Sequence, residues 1–195
     1  MSEPSAPARS AWPARSAWSA PVVAVVGNPR PGSRTAALAS ALAQSIAEGT
    51  GLQAPVVLDL AELTEQLGPP LGSGAAERWA EPLRVLHAAR LVVVATPTYK
   101  GSYSGLLKSF LDHVGGGALH GITAVPVTTV GGAAHTLAAD LHLRPLRIEL
   151  GASTPTGALV VGHDQLDDPA GAIKSWLELN DVVLRRALVA DRVPR

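Results

Sequence analysis

Val22-Val23-Ala24-Val25-Val26-Gly27-Asn28-Pro29-Arg30-Pro31-Gly32-Ser33-Arg34-Thr35 is the stretch whose reading decides the fold. Its β-branched apolar run reads as a short buried strand, the glycine-bounded segment as a turn, and the alanine-rich sequence from Thr35 as a helix. A helix that begins at the carboxyl end of a strand gathers unpaired backbone N–H groups and the positive end of its dipole, a setting that suits an anion. Ser33 and Thr35 add hydroxyl donors, and Arg30 and Arg34 add positive charge. A phosphate is the natural guest.

What is missing narrows the choice of phosphate. The spacing of Gly27 and Gly32 imitates a nucleoside-triphosphate loop, but Ser33 stands where that loop needs a lysine for the β- and γ-phosphates. Pro29 occupies the second glycine position of the dinucleotide fingerprint G-x-G-x-x-G. What remains is a hydroxyl-rich turn for a terminal monophosphate, as in folds that hold flavin mononucleotide (FMN) at the switch point of a parallel sheet. A plain strand–helix turn with solvated arginines is the alternative that this loop alone leaves open.

Outward from that turn, apolar periodicity predicts a helix over 35–48, closed by Gly49, and a second strand over 55–60. Residues 64–74, with two prolines and three glycines, read as a loop, and 75–87 as one helix. Leu91–Ala95 is wholly apolar, as in a central parallel strand. A turn over 96–101, a helix over 104–114 and a strand over 122–129 follow. Helix then runs to about Leu150 with a break near Pro145, before a strand over 156–161 and a helix over 170–190. Five alternations predict an α/β fold: a doubly wound, flavodoxin-like parallel sheet of five strands in the order 2-1-3-4-5. Residues 21–195 form one domain in this reading.

The bulk properties agree. Of 195 residues, 47% are hydrophobic and only 16% charged, which suits a sheet buried on both faces. The formal net charge is zero, so no basic field draws in nucleic acid or anionic lipid. The chain has no cysteine, which excludes disulfides and thiolate chemistry, and its six histidines form no H-x-x-x-H pair, so no metal site is expected. Residues 1–20 repeat Ala-Arg-Ser-Ala-Trp at 8–12 and 14–18 in a Pro/Ser/Ala background and read as a disordered extension. No apolar core precedes Pro21, so neither a signal peptide nor a membrane span is expected, and the predicted location is cytoplasmic.

In a doubly wound sheet the loops after strands one, three and four converge on the ligand. The third-strand loop, Thr96-Pro97-Thr98-Tyr99-Lys100-Gly101-Ser102-Tyr103-Ser104-Gly105, offers backbone amides to the rim of a flat heterocycle. The fourth, Thr128-Thr129-Val130-Gly131-Gly132, offers a wall free of side chains. A phosphorylation-receiver domain of the same topology needs clustered acids where this chain has Gly27-Asn28.

These residues carry a resemblance. Gly27-Asn28-Pro29-Arg30 with Ser33-Arg34-Thr35, then the pattern P-x-Y-K-x-x-Y-S-G-x-L-K over Pro97–Lys108, then Gly132 and His135, are similar in order and spacing to the NAD(P)H-dependent FMN reductases. The nearest likeness is to the reductase components of two-component flavin monooxygenases such as the alkanesulfonate systems. Asn28 replaces the usual serine or threonine but keeps a phosphate donor. Some two-component members insert an aromatic residue in the helix after the glycine turn; by spacing, Leu141 stands there.

The resemblance implies hydride transfer from NADPH or NADH to FMN, with reduced FMN passed to a partner monooxygenase. The alternative is a quinone- or azo-type reductase with tightly bound FMN. A flavodoxin-like electron carrier is the weakest reading, because such carriers are strongly acidic. The implied cofactor contacts are Asn28, Arg30, Ser33, Arg34, Thr35, Pro97, Thr98, Tyr99, Lys100, Thr129, Gly131 and Gly132. The cofactor supplies the chemistry, so no catalytic side chain is expected. A homodimer or homotetramer is expected as well. Tyr99 and Tyr103 either flank the ring or pack at an interface, and Lys108, four residues before Asp112, has an ordinary helix ion pair as its bland reading.

Overall fold

A strand can be apolar at every position only where both faces of its sheet are covered. β1 (Val22–Val26) is buried along its whole length. Alternate side chains point to opposite faces. Val22, Ala24 and Val26 meet Leu38, Leu42, Ile46, Trp176 and Leu184 on one side, while Val23 and Val25 meet Leu60, Trp79, Leu86, Leu107 and Phe110 on the other. The computed structural model describes residues 22–190, so the expected disordered extension, 1–20, lies outside the described residues.

β2 (Val56–Asp59), β3 (Leu91–Pro97), β4 (Thr123–Val130) and β5 (Leu159–Gly162) complete one parallel sheet in the order β2-β1-β3-β4-β5, the flavodoxin-like order expected. α1 (Arg34–Thr50) and α7 (Ala170–Ala190) cover one face. α2 (Leu60–Leu67), α4 (Ala80–His87) and α5 (Gly105–Leu111) cover the other, where Trp79 and Phe110 pack with ring centroids 5.5 Å apart.

Pro126 sits in the central strand β4, where a missing N–H would break a ladder. It pairs with Val94 of β3, whereas pairing with β5 starts one residue later, at Val127. The N–H of Ala124 donates away from β3, to Ser153, so the alternation of the strand turns the proline nitrogen to that same side, ahead of β5. The proline costs no ladder bond.

Several boundaries differ from expectation. Residues 64–67 belong to α2, because Asp59 caps that helix by accepting from the Ala61 N–H at 3.0 Å, and only Gly68 ends it. The single helix expected over 75–87 is two pieces, α3 (Ala75–Arg78) and α4, broken at Trp79, whose indole is fully buried and donates to the Gly68 carbonyl at 3.2 Å. Near Pro145 the helix is interrupted as expected: a π-helical turn over 139–143 runs directly into α6 (Arg144–Glu149), with Pro145 in the first turn of α6. β5 starts at Leu159 rather than at residue 156.

Candidate functional site

The carboxyl ends of β1, β3, β4 and β5 build the site. Gly27 must be glycine: a Cβ there would collide with Leu107 of α5. Its N–H donates to Ala95 at 2.8 Å, and its carbonyl accepts from the Ser104 hydroxyl. Ser104 also caps α5 by accepting from the Leu107 N–H at 3.1 Å, so the turns after β1 and β3 are fixed to each other.

Beyond Gly27 the turn is held by its own polar groups. Asn28 Oδ1 accepts from the Arg30 N–H, Asn28 Nδ2 donates to Thr35 Oγ1, both at 3.0 Å, and Thr35 Oγ1 lies 3.1 Å from Thr129 Oγ1 on β4. Thr35 and Thr129 are each 2% exposed. Ser33 caps α1, accepting from the Ala36 N–H at 3.2 Å, and keeps its hydroxyl hydrogen for an anion. The amides of Arg34 and Thr35, in the first turn, have no intrahelical acceptor. Gly32, at φ 58°, donates to Asp59 Oδ2 at 3.2 Å. Asp59 is thereby a support for the turn that sequence reading missed.

The β3 turn is a tight hairpin. Tyr99 and Ser102 exchange backbone hydrogen bonds of 2.7 and 2.9 Å, leaving Lys100 and Gly101 at the apex with φ of 50° and 80°. Positive φ at both central residues marks a type I′ turn. Lys100 is the one non-glycine residue with positive φ among the described residues. Such strain costs about 1–3 kcal/mol and persists where neighbours impose it. The hairpin sets Tyr99, 49% exposed, at the rim of the site, whereas Tyr103 packs on the core. Lys108 is paired with Asp112, whose hydrogen bond raises the lysine pKa.

A cleft of about 350 Å³ lies between these turns, within the ~300–1,000 Å³ of small-molecule sites. Asn28, Arg30, Ser33, Arg34, Thr35, Pro97, Thr98, Tyr99 and Thr129 line it, all foreseen from sequence. His163 and Leu166 also line it and were missed, although the rule that placed the other loops applies equally to the carboxyl end of β5. The same β5–α7 segment engages Arg34, which reaches Asp167 at 3.4 Å and the His163 carbonyl at 3.5 Å. Gly131 and Gly132 line an adjoining cleft of about 500 Å³ instead, and Lys100 lines neither. Among the described residues no cluster of three or more His, Asp or Glu is placed to hold a metal ion.

The donor set fits FMN. Free helix-start amides, a hydroxyl and two arginines suit a monoester phosphate. Thr98 Oγ1 is buried and has no hydrogen-bond partner in the protein, the state of a donor kept for a ligand. The model of the family described as NADPH-dependent FMN reductase matches residues 20–166. The chain belongs to that family. It is an NAD(P)H:FMN oxidoreductase with a flavodoxin-like sheet. It is 33% identical over 173 residues to the NADH-dependent FMN reductase SfnE of Pseudomonas putida, covering 88% of this chain and 86% of the relative. An FMN-dependent NADPH-azoreductase of Staphylococcus saprophyticus is 30% identical over 87% of this chain and 90% of its own. Among solved structures, the NADH:FMN oxidoreductase EMOB in its apo form superposes with a TM-score of 0.66 at 29% identity, covering 88% of this chain and 87% of that one.

The segment that follows the β4 turn is irregular. Residues 139–143 form a π-helical turn, the wide turn by which a helix accommodates an extra residue. Leu141, picked out by spacing, lies inside it with 64% of its surface exposed.

Proposed function

We propose that this reductase binds FMN as an exchangeable substrate and releases reduced FMN to a separate monooxygenase. The observation that carries the reading is the asymmetry of the cleft. Its phosphate end is walled by the hydrogen-bonded Asn28–Thr35–Thr129 chain, whose threonines are buried, whereas its ring end is bordered by a half-exposed Tyr99. A ligand anchored at one end exchanges readily. When bound, FMN supplies a hydride acceptor, N5, for nicotinamide C4. Ser33, Arg30, Arg34 and the first amides of α1 hold its phosphate; Thr98 donates to it; Pro97 and Tyr99 orient the ring; Gly131 and Gly132 leave room for the nicotinamide. Substrate-like FMN is also consistent with the SfnE relative, named an FMN reductase.

The proposal extends to a homodimer or homotetramer in the cytoplasm, where NAD(P)H is supplied. Anaerobic stopped-flow with excess FMN tests the central claim. Many equivalents of reduced FMN per subunit are expected. About one equivalent, with FMN co-eluting through gel filtration, would transfer the protein to the azo- or quinone-type reading, which the azoreductase relative favours. The loop assignment has its own test: replacing Ser33 by alanine removes a charge-assisted hydrogen bond worth about 1.5–3 kcal/mol, so titration calorimetry should show FMN affinity falling at least tenfold.

A further inference from the structure

The second cleft, about 500 Å³, adjoins the first, with His163 lining both. Gly131 and Gly132 open its mouth, since a Cβ on either would meet nothing within 4 Å. Its far wall is the turn after β5, where Asp164 folds back over Gly162. Asp164 takes part in none of the ion pairs among the described residues. Gln165 and Thr136 complete a polar lining.

Position argues for what this cleft takes. In the reductase reading, on which this inference rests, the nicotinamide meets the flavin between Thr98–Tyr99 and Gly131–Gly132. From the end of β3 to the end of β5 is two strand spacings, about 10 Å. An extended dinucleotide seated at the first point spans that distance and reaches the second cleft with its adenosine half. The charge of the wall then decides which dinucleotide. A carboxylate accepts hydrogen bonds from a ribose diol, as acidic residues do in other dinucleotide folds, and repels a 2′-phosphate. Arg30 and Lys100, on the β1 and β3 turns, do not line this cleft.

We propose that the cleft between Gly131–Gly132 and the β5–α7 turn holds the adenosine half of the nicotinamide nucleotide, and that Asp164 selects NADH over NADPH. Asp164 is exposed, so Asp164→Asn leaves the fold intact. Two readouts test the assignment on FMN-saturated protein. The first is kcat/KM for NADH, NADPH and reduced nicotinamide mononucleotide, which lacks adenosine. The second, without turnover, is calorimetric affinity for NAD+ and NADP+. Wild type should prefer the nucleotides without the 2′-phosphate. The variant should gain about tenfold with NADPH and with NADP+, the reach of one like-charge contact, while reduced nicotinamide mononucleotide is unaffected. An NADP+ affinity and NADPH:NADH ratio within about twofold of wild type overturn the proposal, as does an equal change with the mononucleotide. If neither nucleotide reduces FMN but NADP+ affinity still rises in the variant, the subsite stands and the reductase reading falls.

Discussion

Asp59 shows how one side chain can govern a site it does not enter. Its two carboxylate oxygens accept from Ala61 and Gly32, so the cap of α2 and the turn after β1, which holds the phosphate in the proposed reading, share one residue. Asp59→Asn keeps the shape but turns an NH2 group toward one of those N–H donors. Expected is an FMN affinity about tenfold weaker, at ~1.4 kcal/mol per decade, with riboflavin affinity unchanged because riboflavin has no phosphate. Equal loss of both ligands would mean a general structural fault instead. Gly27 gives a second test. Gly27→Ala forces a Cβ into Leu107, and overpacking of this kind costs about 1–3 kcal/mol, read as a lower urea midpoint at unchanged m-value.

At the scale of elements, the segment from the π-helical turn through α6 holds an unusual cation. Arg147 is 1% exposed, donates to the Leu143 carbonyl at 3.1 Å and to the Ala124 carbonyl at 3.4 Å, and leaves Nη2 without a partner. Burial first, and the nearby Arg144 second, lower its pKa from the ordinary guanidinium range to about 10. A base whose folded pKa lies below its unfolded value opposes folding while charged, so the penalty stands at neutral pH and is relieved as pH rises through about 10. Urea unfolding of wild type and Arg147→Met from pH 8 to 11 should therefore show the difference moving in favour of wild type above pH 10. Parallel curves would mean that the guanidinium is not held in a desolvated site. The placement of this element was only half legible. Pro145 marked the discontinuity, but no local pattern announced the π-helical turn that precedes it or the burial of Arg147 against β4.

For the whole molecule, the exposed apolar side chains Leu137, Leu141 and Ile148 lie within one segment, 137–148, at 63%, 64% and 60% exposure. Exposed leucines of this density are a feature of association surfaces. In the proposed symmetric oligomer these side chains are expected to be buried. Light scattering should give a dimer or tetramer mass, and Leu141→Glu with Ile148→Glu should reduce it to that of a monomer; an unchanged mass would place the interface elsewhere. No helix among the described residues is long and apolar enough to cross a membrane.

What the sequence determined by itself is the architecture and most of the residues that line the first cleft. Valine-rich runs separated by helical periodicity admit few arrangements besides a parallel sheet, and Gly27 to Thr35 is a local motif of one strand end, one turn and one helix start. The turn over 96–101 was legible for the same reason, whereas its closure as a hairpin between Tyr99 and Ser102 came from the structure. Only the tertiary structure decided which distant residues complete the site. Asp59 reaches Gly32 across 27 positions and His163 lies against Arg34 across 129, contacts set by the side-by-side order of strands and by no local pattern. The structure also divided what the sequence had grouped, placing Gly131 and Gly132 in a second cleft because β4 ends between β3 and β5 and its turn faces the latter. Local chemistry is written in adjacent residues; convergence depends on sheet order, which brings together turns that the chain keeps far apart.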